Sequence, residues 1–290
     1  MADRLGKRFG RRWALRGCSL TVPAGAVVGV VGANGAGKST FLHLTVGLLD
    51  PSEGELRVLG GRPGGEHLGR VAFVAQDAPV YGSFSVGDHL RLGSRTNPTW
   101  DGHLAERRLA HLGLDLRQRA DRLSGGQRSQ LALTLAIAKR PELLVLDEPV
   151  ASLDPLARRA FLGDVMELAA EARPTVVLSS HLLSDVERAC DHLIVMVQGQ
   201  VAADGPVDAL LARHKVLTGP RRDVRSLPAH LSVVQERHTE RQTTMLVRAD
   251  GPILDPSWIV AEVGLEEMVL AYMATGGGRE KPLHVAAVAP

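Results

Sequence analysis

Only two cysteines, Cys18 and Cys190, occur in 290 residues. They stand in no metal-ligand spacing and no secretory context, which excludes a disulfide scaffold and predicts two free thiols in or near a core, in a reducing compartment. Long apolar runs are also missing. No stretch approaches the roughly 18 residues that cross a bilayer, and the basic start, Met1 to Arg8, is followed by no apolar run of signal-peptide length. The expectation is a cytoplasmic protein whose membrane role, if it has one, comes through a partner. Charge of one sign is lacking too. Thirty-four basic residues stand against 32 acidic ones, a net +2, so no overall field argues for nucleic acid or an anionic membrane as partner. No internal repeat is present. What the chain has is 44% hydrophobic content, enough for a substantial core in one large domain with a small appendage.

Residues 26–31, Ala-Val-Val-Gly-Val-Val, are rich in β-branched side chains and read as a buried strand. A glycine-rich loop follows, and then residues 41–49 read as a helix that Asp50 and Pro51 stop. Residues 143–146 and 175–178 are further continuous apolar runs, each too short for a lone helix. Continuous rather than alternating runs, separated by helical segments, predict a mainly parallel sheet covered on both faces. Residues 193–197, then Gln198-Gly199, then residues 200–202 predict a hairpin that closes this unit. Between Gln76 and Leu123 strand signals vanish and leucines recur at helical spacing over residues 103–113, so residues 77–140 read as a helical insert. From about Gly219 the composition shifts to an Arg-rich, solvated loop at 221–225, two alternating strand-like runs at 231–235 and 243–247, and a helix over 265–273. The expected domains are residues 1–215 and a small α+β extension over 216–275, with a disordered tail at 276–290.

Gly32, Gly37, Lys38 and Ser39 match the spacing Gly-x-x-x-x-Gly-Lys-Ser between a predicted strand and a predicted helix, the context that a phosphate-binding loop requires. Glycines permit the tight and left-handed angles that turn successive N–H groups inward, at a helix N-terminus whose dipole favours anions. Gly32, Ala33, Asn34, Gly35, Ala36, Gly37, Lys38, Ser39 and Thr40 are therefore the expected cradle of a nucleoside triphosphate. Lys38 supplies a point charge to the outer phosphates, and the Ser39 hydroxyl is placed to ligate Mg²⁺. The apolar run at 143–146 ends in Asp147 and Glu148. At the carboxyl edge of a parallel sheet Asp147 can hold the metal through water, and Glu148 can face an attacking water as general base. An acidic pair after a strand often does no more than cap a helix; Lys38 upstream decides for the site.

A second glycine-rich element, Ser124-Gly125-Gly126-Gln127, forms a Ser-x-x-Gln capping box ahead of an apolar periodic run. A cap does not need two glycines, each of which costs about 1 kcal/mol inside a helix. They make sense if exposed N–H groups and the Ser124 hydroxyl must approach something anionic closely.

In this order the motifs make residues 5–211 resemble the nucleotide-binding subunits of ATP-binding cassette (ABC) transporters. The resemblance is carried by the loop at 32–40, Gln76 after the apolar residues 71–75, Leu123-Ser124-Gly125-Gly126-Gln127, Asp147-Glu148, Ala151-Ser152-Leu153-Asp154, and His181 after residues 176–180. It implies an α/β fold of the P-loop ABC type, a mainly parallel sheet core with an antiparallel β edge and a helical subdomain. It implies ATP and Mg²⁺, with Ser39, Gln76 and Asp147 at the metal and Glu148, His181, Gln76 and Lys38 in catalysis. It also implies that Phe9 stacks on adenine, with Trp13 the alternative. Ser124, Gly125, Gly126, Gln127 and Asp154 would then act across an interface, the signature of one copy closing over ATP held by the loop of another in a two-fold dimer. Departures are Ala33 and Ala75 where prolines are common, and Ala-Ser-Leu-Asp at 151–154 where Ser-Ala-Leu-Asp is frequent. None removes a catalytic group, so two competent sites are expected.

A single cassette, with only residues 41–122 between its two loops and no strongly basic composition, favours a transporter subunit over a soluble switch acting on nucleic acid or ribosomes. The expected partners are a second copy and a separate transmembrane permease, docked near Gln76, Phe84 and residues 77–102 on the inner face of the membrane, with no nucleic acid. Residues 97–101, 148–155 and 264–272 resemble exporter subunits that serve ABC-2-type permeases. Export is the favoured direction and import the alternative.

Overall fold

The computed structural model describes residues 1–77, 79–151, 153–221 and 227–274. The solvated loop expected at 221–225, apart from Arg221, and the tail expected at 276–290 lie outside the described residues. At the centre is β3 (Val27–Val31), buried along its whole length and parallel to β7 (Thr175–Ser180) on one side and β8 (His192–Val197) on the other. Beyond β7 lie β6 (Leu143–Leu146) and β5 (Val71–Val74), both parallel; beyond β8 lies β9 (Gln200–Pro206), antiparallel. The sheet order is β5-β6-β7-β3-β8-β9. The hairpin between β8 and β9 turns on Gln198 and Gly199, with φ of 49° and 77°, the paired positive angles that a two-residue hairpin favours.

Successive side chains of these strands enter different cores, which is why the runs are apolar throughout. Val28, Val30, Leu143, Val145 and Val177 face one cluster, while Val27, Val31, Leu144, Leu146, Val176 and Leu178 face the other. A strand covered on both faces has no wet side on which to place a polar residue. The first face is covered by α1 (Lys38–Thr45) and by an antiparallel sheet of β1 (Ala2–Phe9), β2 (Arg12–Leu20) and β4 (Glu53–Leu56), through Leu5, Leu15, Phe41 and Leu42. The second is covered by α4 (Gly125–Ala138), α5 (Pro155–Ala172) and α6 (Leu183–Ala189), through Leu133, Phe161, Val165 and Val186.

α1 is shorter than its sequence suggests. The helix expected to run to residue 49 ends at Thr45, where Gly47 takes φ 77°. Its N–H donates to Leu44 O and that of Leu48 to His43 O, at 3.1 and 2.9 Å. These two bonds satisfy the last carbonyls in a Schellman motif, so the glycine stops the helix before Asp50-Pro51 is reached.

Three helices, α2 (Val86–Thr96), α3 (Gly102–His111) and α4, enclose a core of their own built on Val86, Leu90, Ala105, Leu109 and Leu131. α2 starts at a Ser85–Asp88 capping box, whose hydrogen bonds from Ser85 hold the Asp88 carboxyl down to about 2. Arg108 on α3 donates to Gln130 on α4 and to Asp164 on α5, at 2.9 and 2.7 Å, which ties the helical layer to the sheet layer.

After α7 (Val207–Arg213), four antiparallel strands form a sheet of order β11-β12-β10-β13, namely β11 (Leu231–His238), β12 (Gln242–Ala249), β10 (His214–Pro220) and β13 (Ile259–Glu262). Met245 and Val247 join Leu217 and Trp258 on one face. Leu246 points the other way and, with Leu265, Met268 and Val269 of α8 (Leu265–Ala274), enters the cluster beneath the six-stranded sheet. The two thiols are free, and burial raises Cys18 to about 11 and Cys190 to about 12, leaving little thiolate at neutral pH. Among the described residues no helix is long and apolar enough to cross a membrane.

The joint between β10 and α8 is polar. His214 Nδ1–H donates to Leu210 O at 2.7 Å, and Nε2 lies 2.8 Å from the Tyr272 hydroxyl. Burial, the largest influence, pushes the His214 pKa below the usual histidine value, and Arg248 and Arg213 act in the same direction. An unfolded histidine takes up its proton near about pH 6.5, so the neutral ring contributes stability above that pH and loses it as the pH falls. In urea denaturation at pH 7.5 and pH 5.5, wild type should lose more stability on acidification than His214→Gln; equal losses would refute the assignment.

Candidate nucleotide-binding site

Four segments converge because four neighbouring strands, β5, β6, β7 and β3, run in the same direction and release their chains at the same edge. Gln76 follows β5, Asp147 and Glu148 follow β6, His181 follows β7, and the loop 32–37 follows β3. That loop needs its glycines. A Cβ at Gly32 would stand 2.3 Å from Met196 O, and one at Gly37, the N-cap of α1 at φ 102°, would stand 2.7 Å from Ala14 O. Ala33, Asn34 and Gly35 form the exposed crest, with Ala36 buried beneath it.

Lys38 is only 5% exposed. Its ammonium donates to Gly32 O at 2.8 Å and lies 3.3 Å from Glu148 Oε1. The other oxygen of Glu148, Oε2, lies 3.0 Å from His181 Nδ1. Ser39 Oγ donates to Asp147 Oδ1 at 3.2 Å. Lys38, Glu148 and His181 thus form one chain of contacts, and Ser39 and Asp147 form a second beside it. Lys38, Ser39, Glu148 and His181, with Gln76, Asn34, Gly35, Gly37, Thr40 and Ala151, line an open cleft of about 750 Å³, whose mouth carries Phe9, Arg12 and Trp13, while Asp147 is buried behind Ser39. Phe9 is half exposed, with the Lys7 ammonium 5.4 Å from its ring centre; the Arg8 guanidinium sits at the same distance from Trp13.

The cleft can hold a polyphosphate under an aromatic mouth. Ser39, Asp147 and Gln76 offer oxygen donors only, a set that fits Mg²⁺. No group of three or more His, Cys, Asp or Glu among the described residues could hold a metal unaided.

Ser124, Gly125, Gly126, Gln127 and Asp154 do not line this cleft. Ser124 is the N-cap of α4, in a full capping box with Gln127. Its oxygen accepts from Gln127 N–H at 3.2 Å, which leaves the hydroxyl proton to donate. A Cβ at Gly125 would meet nothing within 4 Å, so nothing in the described part of this chain requires glycine there. Asp154 caps α5, accepting from Leu156 and Ala157 N–H at 2.9 and 3.0 Å. Ser152 lies outside the described residues. Two residues escaped the sequence reading. Arg12 enters the mouth through the β1–β2 hairpin, where it pairs with Phe9, and no motif marks it. Ser179, which contacts both acids, carries no motif around it; its only signal was a hydroxyl ending an apolar strand.

Fold and site together define a P-loop nucleotide-binding protein. The model of the ABC transporter family matches residues 15–151. The phosphonates import ATP-binding protein of Rhodopseudomonas palustris is 34% identical over 223 residues, 70% of this chain and 83% of that protein. The Nod factor export ATP-binding protein I of Rhizobium johnstonii is 34% identical over 215 residues, 71% and 68% of the two chains. A solved structure of an ATP-binding subunit of an ABC transporter superposes with a TM-score of 0.65 at 28% identity, over 73% of this chain and 91% of that one. The chain therefore belongs to the ABC transporter family, as an ATP-binding subunit of ATPase type.

Glu148 occupies the Lys38 ammonium, so a phosphate seated in the loop would compete with it. In a fluorescent-nucleotide titration, Glu148→Gln should bind ATP at least as tightly as wild type. Lys38→Ala should bind about 10- to 100-fold more weakly, the worth of hydrogen bonds to a charged group. A large loss of affinity in Glu148→Gln would contradict the competition.

Proposed function

We propose that two copies of this chain clasp two ATP molecules between them, hydrolyse them, and pass the resulting closing and opening to a separate membrane permease. One observation carries the reading. Lys38, Glu148 and His181 share a cleft, whereas Ser124 and Gly125 are exposed outside it, and packing does not explain the glycine at 125. A site divided this way is completed by a second copy, whose Ser124 hydroxyl and Gly125 and Gly126 N–H groups donate to the outer phosphate, with Asp154 at the same interface. The crest of the loop and Thr40 hold the phosphates, and Phe9 or Trp13 covers the base.

Within that enclosure Lys38 leaves Glu148 for the phosphates. Glu148, freed on one oxygen and still held by His181 on the other, accepts the proton of the attacking water as general base. Ser39, Asp147 and Gln76 would hold Mg²⁺, whose charge would offset that of the phosphates. His181 orients the base, and Gln76, at the start of the helical segment, relays the state of the site to it.

The docking patch for the permease is read at residues 77–102. Tyr81 is 61% exposed and Phe84 37%, with ring centres 5.1 Å apart, and Tyr81 N–H donates to the buried His89 Nε2 at 3.0 Å. An exposed aromatic pair on a fixed backbone suits an apolar helix end of a membrane subunit. The chain then works at the inner face of the membrane, without nucleic acid. We read the direction as export, supported by the exporter-like segments, the C-terminal helix among them, and by kinship with the Nod factor export protein. Import is the second reading, favoured by similarity to phosphonate and sulfonate import proteins.

Glu148→Gln should lower kcat about 10²- to 10⁴-fold, the range of a lost general base. It should also give a dimer on size-exclusion chromatography with ATP that wild type shows only transiently; unchanged turnover would remove Glu148 from its role. Co-expressed with its neighbouring gene, the chain should co-purify with a membrane protein. Tyr81→Ser with Phe84→Ser should abolish that capture while sparing basal ATPase; capture unaffected by the pair would move the docking patch elsewhere.

A further inference from the structure

Ser179, the next-to-last residue of β7, is fully buried. Its hydroxyl lies between the two acids that end β6. It donates to Asp147 Oδ1 at 2.7 Å and accepts from Glu148 N–H at 2.8 Å. Strand register brings this about, since Leu146 pairs with Leu178 and the next residue on each strand is Asp147 or Ser179. We propose that Ser179 is a positioning residue for hydrolysis, fixing at once the metal-side carboxylate of Asp147 and the backbone from which Glu148 reaches Lys38 and His181. The inference rests on the roles proposed for Asp147 and Glu148.

Two features distinguish this from an ordinary satisfied core hydroxyl. Glu148 has φ 43°, a left-handed conformation that a side chain with Cβ disfavours and that persists only where its surroundings hold it. The bond from Glu148 N–H to Ser179 Oγ is such a hold. Without it the peptide is free to relax, carrying the Cα–Cβ bond and the carboxylate off Lys38 and His181. The second feature is the division of Asp147. Ser179 and Ser39 both donate to Oδ1, and Oδ2 makes no hydrogen bond among the described residues. Two donors on one oxygen orient the carboxylate and leave the other for the hydrated metal. Ser39 faces the cleft, whereas Ser179 does not line it, so Ser179 keeps its hold when Ser39 turns to the metal.

The test uses the full chain and two readouts. Ser179→Ala should lower kcat about 10- to 100-fold, as for a lost hydrogen bond to a charged group, with little change in affinity for ATP in EDTA. In the Glu148→Gln background, where nothing turns over, adding Ser179→Ala should raise the Mg²⁺ concentration that half-saturates the nucleotide fluorescence change by severalfold. Ser179→Thr, which keeps the hydroxyl, should recover both. If Glu148→Gln alone leaves hydrolysis intact, the underlying reading fails. If Glu148→Gln abolishes hydrolysis while Ser179→Ala keeps wild-type kcat and Mg²⁺ dependence, the positioning role is overturned. Should Ser179→Ala fail to fold by circular dichroism, Ser179→Cys, nearly isosteric and a weak donor, takes its place. Wild-type kcat and Mg²⁺ dependence in Ser179→Cys would overturn the role equally.

Discussion

An ammonium group that is 5% exposed cannot stand alone. Lys38 is held by the carbonyl of Gly32 and the carboxylate of Glu148, and the rest of the site is arranged around that need. The carboxylate is in turn gripped by His181, and its backbone by Ser179. The resting contacts thus resemble those a triphosphate would make, with Glu148 standing in for phosphate at the lysine. A site of this kind is pre-formed and self-satisfied. A nucleotide bound through Lys38 would exchange one anion for another, which would limit the desolvation that binding must overcome.

The same group also explains why the sheet is parallel where it matters. Gln76, the acidic pair, His181 and the loop come from widely separated parts of the chain, yet each follows a strand and all four strands end at one edge. Parallel strands need crossover helices, which bury both faces of the sheet. The apolar runs and the edge that carries the cleft are therefore two consequences of one topology. The helical layer is joined to the same frame through Arg108, Gln130 and Asp164, and α8 through Met268 and Val269 in the core beneath the sheet.

Much of this was legible in the chain. Residues 26–31, 143–146 and 175–178 announced buried strands because no polar residue interrupts them, and Gln198-Gly199 announced a hairpin. Gly47 carried a helix-stop signal that Asp50-Pro51 masked, since either can end a helix and the nearer one acts first. The N-terminal strands were illegible for a different reason. In β1 the alternation fails at a register shift next to Arg4, which sits at φ 46°, so Leu5 and Gly6 are both buried and no period of two can be seen. β13 was hidden because all four of its residues are exposed; it is a strand only through pairing with β10.

What the sequence determined by itself was therefore local: the phosphate loop, the caps, the buried runs and the order of motifs that marks the family. These follow from backbone preference and burial within a few neighbouring residues. Tertiary structure alone decided that Glu148 rests on Lys38, that Ser179 clasps both acids, that Arg12 reaches the mouth of the cleft, and that Ser124 stays outside it. Each of these depends on which elements lie side by side: Glu148 and Lys38 are 110 positions apart and Ser179 and Glu148 are 31, and contacts over such separations leave no periodic trace along the chain.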